Sequence, residues 1–435
     1  MRIACILLPV ALLAAAPPKL PDPYQSIVEL AHSEAPEFAA DTLLRVVESG
    51  KIRGRESVTP LIEEAFRLAG AAQFRIALRG ISQNLGDTRA GNLDRAYRLK
   101  LDALTLQSRA VRDMLTFNKL RARQLFGEIA PPILPPLSCA DVLVPDVSAF
   151  YDTLATVVMS TFTDQERAKE AHINFLLSYL AQVTSPAQLA PALRLIQSVD
   201  LTPAQRDAVL GRVNGILEGL QLEERVFAAT LADVRSAITP ETSASFDKYV
   251  ERGMSGTRCA PDSPQVERYW QSGDSKRIFE QAIKLRMGPS GTMLSIAERS
   301  TPEWTLQLTD FLRDLGGWTS GHESSDAAFF HEKSAVYEAL VDLTPPGPQR
   351  DKTIASFVGF LAGSNLQQQS PVEWFSHAPL MFERLKNAGD GEADRLLDAY
   401  AASGTPALVL FATLEKTFGS KLPSWVPADV GSNTR

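Results

Sequence analysis

Cysteine is scarce in this chain, with three among 435 residues, and no two of them form a C-x-x-C pair. A thiol redox site of that kind is therefore excluded. Cys5 falls inside the opening MRIACILLPVALLAAAPPKLPDP, where Arg2 precedes an apolar run from Ile3 to Leu13 and then Ala14, Ala15 and Ala16. This is the layout of a secretory signal peptide. The run is too short to span about 30 Å of hydrocarbon. No lipobox precedes Cys5, and Pro17 directly after Ala16 leaves the cleavage position open. Without this segment, Cys139 and Cys259 remain. Two cysteines in an exported chain are expected to pair as a disulfide. The expected location is periplasmic or extracellular.

Long apolar runs are missing from the rest of the chain, so no transmembrane segment is expected after signal cleavage. Sustained period-2 alternation is almost absent, which removes most β architectures. Basic charge is not in excess. The net charge of -7 argues against a chain built to coat nucleic acid. Complete catalytic motifs are missing too. Gly253-Met254-Ser255-Gly256-Thr257 and Gly288-Pro289-Ser290-Gly291-Thr292 both lack the final glycine of a nucleophile elbow. No P-loop and no dinucleotide-binding glycine pattern is present, so no cofactor is expected. His331-Glu332 begins a zincin motif, but Ala335 occupies the second histidine position. No metal is expected.

Helical periodicity fills the space these absences leave. Phe38, Leu43, Leu44 and Val47 share one stripe, and Gly50 is a stop beyond it. Leu61, Ile62, Ala65, Phe66 and Ala69 share another. The stretch from Asn92 to Ile129 reads as helix with a break near Thr116–Phe117–Asn118. Ser/Thr-Pro pairs at Thr59, Ser185, Thr202, Thr239, Ser263, Thr301, Ser370 and Thr405 read as helix starts. The hydroxyl caps orphan N–H groups, and proline gives up a donor that had no partner. Gln188, Gln205 and Glu373 complete capping boxes at three of these pairs. The predicted class is all-α, with stacked antiparallel helical hairpins in a solenoid-like array. RARQLFGEIAP, with Ala122, Phe126 and Pro131 in place, resembles the second helix of a tetratricopeptide-type repeat. APEFAADTLLRVVESGK and IEEAFRLAGAA are similar to segments of predicted exported bacterial helical proteins that have no assigned activity. That resemblance implies a degenerate helical repeat and transfers no catalytic residue.

Proline and glycine clusters mark seams. The expected division is a signal peptide and proline-rich junction (1–23), an N-terminal helical block (24–130) and a proline-rich linker (131–149). A central block (150–252) follows, then a linker holding Cys259 (253–263), a Trp-rich C-terminal block (264–422) and a tail (423–435). Cys139 and Cys259 bracket the central block, so their disulfide would tie its two ends together.

Candidate functional residues are few. Arg95, Arg98, Lys100, Arg109, Arg112, Lys119 and Arg121 crowd one stretch, either as a solvated face or as a surface for an anionic partner. The tryptophans Trp270, Trp304, Trp318, Trp374 and Trp425 all lie late in the chain, where core packing is their ordinary role. GGWTSG around Trp318 reads as an exposed loop, and with His322, Glu323 and His331 it is the candidate recognition site. Glu323-Ser324 resembles the Glu-Ser pair of periplasmic lytic transglycosylases, but the Gly-Leu-Met-Gln-type segment of that family does not follow. The expected function is an exported scaffold or binding protein for a protein, a peptide or an envelope polymer, and not for nucleic acid. The alternative is an extracytoplasmic hydrolase with a site near residues 316–332.

Overall fold

Side-chain caps and glycine stops decide where many of the helices begin and end. The computed structural model describes residues 20–81, 88–256, 259, 273–288, 290–319, 326–364, 370–389 and 391–419. The signal-like opening, Ser263, Trp270, His322, Glu323, Trp425 and the tail from 423 lie outside them. The N-terminal part carries α1 (Tyr24–Ala31), α2 (Pro36–Glu48), α3 (Arg55–Ala69), strand β1 (Ala77–Gly80), α4 (Arg89–Arg98), α5 (Ala103–Phe117) and α6 (Lys119–Glu128). After strand β2 (Leu143–Asp146) come α7 (Ser148–Ser160), α8 (Asp164–Ala168), α9 (Ala171–Leu180), α10 (Leu189–Ser198), α11 (Pro203–Gly219), α12 (Glu224–Ala237) and α13 (Ser243–Gly256). The C-terminal part holds α14 (Gly273–Arg286), α15 (Pro302–Gly317), α16 (Asp326–Leu343), α17 (Pro348–Gly363) and α18 (Pro371–Phe375). It ends with α19 (His377–Ala388), α20 (Glu392–Ala402) and α21 (Pro406–Phe418). The class is all-α.

Local chemistry accounts for several boundaries. Ser185 and Thr202 form the expected capping boxes with Gln188 and Gln205. Thr301 accepts from the Trp304 amide at 3.3 Å to start α15. Asn118 ends α5 and, by accepting from the Arg121 amide, starts α6. Gly50 takes a positive φ of 65° just past α2, the left-handed stop that glycine favours.

Four cap expectations need correction, the simplest being Thr405, which precedes α21 without a side-chain cap bond. Thr59 starts no helix: α3 begins at Arg55, and Pro60 sits inside it. The earlier start brings Val58 into the buried stripe of Leu61, Ile62 and Ala65. Thr239 instead closes a turn with Thr242 before α13. Ser370 precedes α18 without a side-chain cap bond, and the Glu373 carboxylate that would complete the box lies against His331.

The proline-rich segment 131–146 is more than a terminator. Its end forms β2, antiparallel to β1, with Ala77 opposite Asp146 and Leu78 opposite Pro145. Proline lacks a donor, and a two-stranded ribbon leaves each strand an open edge that tolerates this.

Neighbouring helices stack as hairpins, α2 on α3, α5 on α6, α16 on α17, α19 on α20 and α20 on α21. The ends of the described chain also meet. Helix α1 packs on α21, where Tyr24 and Phe418 stack at 5.8 Å. Phe38 of α2 meets Phe375 of α18 at 4.7 Å, and α18 packs on α4. No described helix is long and apolar enough to cross a membrane.

One close approach yields a test. A Cβ at Gly253 in α13 would lie 2.2 Å from the ring of Phe227, which is buried. Gly253→Ala is expected to cost about 2 kcal/mol, the overpacking strain exceeding the gain in helix propensity. Gly215→Ala in α11, with open space at its Cβ, should stabilise by about 0.5–1 kcal/mol. Urea unfolding midpoints check both.

Candidate functional site

Two helices each present a pair of polar residues two turns apart, so each pair shares one face. On α16 the pair is His331 and Glu338. On α19 it is His377 and Arg384. The α16 and α19 faces interlock. His331 Nδ1 lies 3.1 Å from His377 Nε2, and His377 Nδ1 lies 2.7 Å from Glu338 Oε1. Glu373 of α18 reaches His331 Nε2 at 3.5 Å. Arg384 holds the other oxygen of Glu338 at 3.3 Å, and Arg95 of α4 approaches it at 3.8 Å. Phe330 sets its ring edge-on to both imidazoles.

Burial governs the electrostatics. The side chains of His331, His377 and Glu338 are 1%, 3% and 5% exposed. Burial opposes ionisation of Glu338, but Arg384, His377 and Arg95 outweigh it and hold the carboxyl well below its usual range. Burial pushes His331 down to about 4, with His377 and Arg95 acting in the same direction and Glu373 against it.

Chemically this is an acid–imidazole relay, yet it is sealed. A small apolar void lies between Phe38, Phe375 and Phe411, and an open cleft of about 470 Å³ runs beside Phe382, Lys386, Asp394 and Lys416. Neither is lined by the relay. Two guanidiniums already face the Glu338 carboxylate, which disfavours a bound cation there.

Of the four candidate recognition residues, Trp318 and His331 are buried. Trp318 is 6% exposed and packs edge-on to Phe329 at 4.9 Å. This corrects the exposed-loop expectation. Gly316 and Gly317 form the last turn of α15, and Lys333 of α16 donates to the carbonyls of Gly316 and Trp318 at 3.1 and 2.8 Å. A cation at a helix C-terminus satisfies orphan carbonyls and complements the dipole. Burial pushes Lys333 down to about 8. His331 faces inward, while His322 and Glu323 lie outside the described residues. Trp304 and Trp374 are buried like Trp318.

Much of the basic stretch is committed to partners rather than to an anionic surface. Arg95 and Arg98 face Glu338 and Asp94, and Arg121 and Arg123 face Glu63 and Glu166. Arg109 donates to Glu48 and to Asp41, both at 2.5 Å. Asp41, fully buried on α2, also accepts from Arg45 at 2.7 Å.

Cys139 and Cys259 are joined, with Cα atoms 5.3 Å apart. Glu224 lies beside them, its carboxylate 3.8 Å from Cys259 Sγ. Cysteine sulfurs and a carboxylate at this spacing resemble a metal site, but the sulfurs are committed to each other. The start of α12 grips the same segment. Glu223 accepts from the Leu137 amide, and Arg225 Nε donates to the Asp141 carbonyl at 2.6 Å.

Compared with known proteins, the chain matches no family model, no curated protein and no solved structure. Ala122 and Phe126, which carry the tetratricopeptide resemblance, are fully buried on α6, as any helix packed on both sides requires.

Proposed function

We propose that this chain is an exported helical scaffold that binds a protein partner through the α14–α15 hairpin. The observation that carries the reading is the number of exposed apolar side chains between residues 279 and 306. Phe279, Ile283, Met293, Ile296 and Leu306 are each 42–63% exposed. Singly exposed hydrophobics are ordinary, but such a concentration marks interaction surfaces. A bridge between Met287 and Met293, with Met293 sulfur 3.7 Å from Arg286, folds the connecting loop back on the end of α14. The Cys139–Cys259 disulfide supports an oxidising compartment. The inward orientation of Trp318 and His331 favours binding over the hydrolase with a site near 316–332.

A photo-crosslinking residue placed at Ile283 or Leu306 should give a discrete adduct in the native envelope. The same residue at exposed Arg212 on α11 should give none. Phe279→Asp should abolish the adduct without loss of helicity by circular dichroism. Equal products from all three positions, or none from the first two, would overturn the reading.

A further inference from the structure

Phe279, Ile283 and Met287 follow one another at intervals of one turn along α14, so they share one face. The Met287 amide still donates to the Ile283 carbonyl at 2.9 Å, which carries the helical geometry to the end of this stripe. Met293 returns beside Met287 across the bridge, and the Leu294 amide donates to the Arg286 carbonyl at 2.9 Å. Trp304 fixes α15 to the same end, its indole donating to the Leu285 carbonyl at 2.9 Å. Met293 and Ile296, 58% and 63% exposed, therefore sit on a braced loop.

Positive charge gathers around this loop. On α14 the exposed Lys276, Arg277, Lys284 and Arg286 outnumber the exposed Glu280. Arg286 reaches the Met293 sulfur. Arg299, at the far end of the loop, donates through Nη1 to the Leu343 carbonyl at the end of α16. Arg350 donates to the adjoining Thr344 carbonyl at 2.6 Å, so two guanidiniums share one helix end. Arg350 has a counter-charge in Glu392. Neither Arg286 nor Arg299 pairs with a carboxylate among the described residues. The Nε–Nη2 edge of Arg299, the edge that holds a carboxylate with two bonds, has no acceptor there. Glu298 next to it is already taken up by the Ser295 amide and hydroxyl, both at 2.7 Å. Burial, and after it the like charges of Arg350 and Arg286, hold Arg299 below its usual range. An added carboxylate would relieve both the unmet donors and the unbalanced charge.

We propose that the loop between α14 and α15 recognises an acidic residue of the protein partner, held by Arg286 and Arg299 with its apolar neighbours on Met293 and Ile296. This rests on the binding surface proposed above and names the chemistry of its partner, an acidic segment with apolar side chains beside the carboxylate. The guanidiniums set its register. Met293 and Ile296 exclude water from the ion pair, and a drier pair is a stronger one.

Two measurements on the full chain test this. With the photo-crosslinking residue at Ile283, Arg286→Glu should lower the adduct by about ten-fold or more. Lys352→Glu, at an exposed position of α17, should leave it unchanged, and circular dichroism checks that both variants fold. An adduct that survives Arg286→Glu would overturn the acidic partner and leave the binding surface standing. An Ile283 adduct missing from the unsubstituted chain would overturn the surface itself, and the acidic partner with it. The second measurement needs neither a partner nor a variant. With nitrogen-labelled arginine, sodium glutarate is titrated in place of sodium chloride at constant ionic strength. The Nε–H signals of Arg286 and Arg299 should shift together and saturate in the millimolar range. That of Arg313, 73% exposed on α15, should not. Unsaturated shifts of equal size at all three would refute the proposal. So would sedimentation of the chain with phosphatidylglycerol vesicles that Arg286→Glu abolishes, since the surface would then belong to a lipid.

Discussion

Asp41→Asn is expected to lower folding stability by about 3–5 kcal/mol, the ordinary result of removing one partner from a buried ion pair. The side chain is 2% exposed and stands between Arg45 and Arg109. Asparagine keeps the shape but removes the charge. It also presents a donor, where the two guanidiniums need an acceptor. Arg109 retains Glu48, so the loss should be partial rather than complete unfolding. The measurement is the urea midpoint by circular dichroism, with Asp351→Asn as the comparison. Asp351 pairs with Arg395 at 3.0 Å, but both side chains are 47% exposed. Pairs of that kind contribute under about 1 kcal/mol. Similar shifts in the two variants would show that burial does not set the cost here.

The second large effect concerns covalent structure. Replacing both Cys139 and Cys259 with serine opens a loop spanning 120 positions. The chain-entropy account assigns such a loop about 4–5 kcal/mol. A fall of roughly 5 °C in the thermal midpoint is expected. A reducing agent should produce the same fall in the natural chain and no further change in the double variant. A midpoint within about 2 °C of the natural protein would mean that α12, through Glu223 and Arg225, holds segment 137–141 without the disulfide.

What the sequence shows plainly here is what depends on neighbours within a few residues. Asn118, Gly50, Thr202 and Ser185 act through bonds one turn away, so their roles are legible from type and spacing. The cysteine pairing is legible by a different route, since setting aside Cys5 in the signal-like opening leaves two candidates. Pro60 misleads because a buried Val58 outweighs one lost backbone bond. The capping box expected at Ser370 misleads because the Glu373 carboxylate has a distant partner in His331. The relay is the clearest illegible feature. His331, Glu338, His377 and Arg384 each resemble a polar residue on a solvated face. Their i, i+7 pairing becomes meaningful only once α16 and α19 face each other. Strands β1 and β2 are too short, and too far apart in sequence, for alternation to reveal them.

The seating of α1 against α21 has a consequence for the order of events during synthesis. Chains emerge from the amino end, so Ile27 and Val28 are among the first of the core residues to be made. Their neighbours around Phe418 are among the last. Until then α1, eight residues long, is too short to persist alone in water. The helix made earliest is thus completed latest, and its docking marks the closing of the whole described structure.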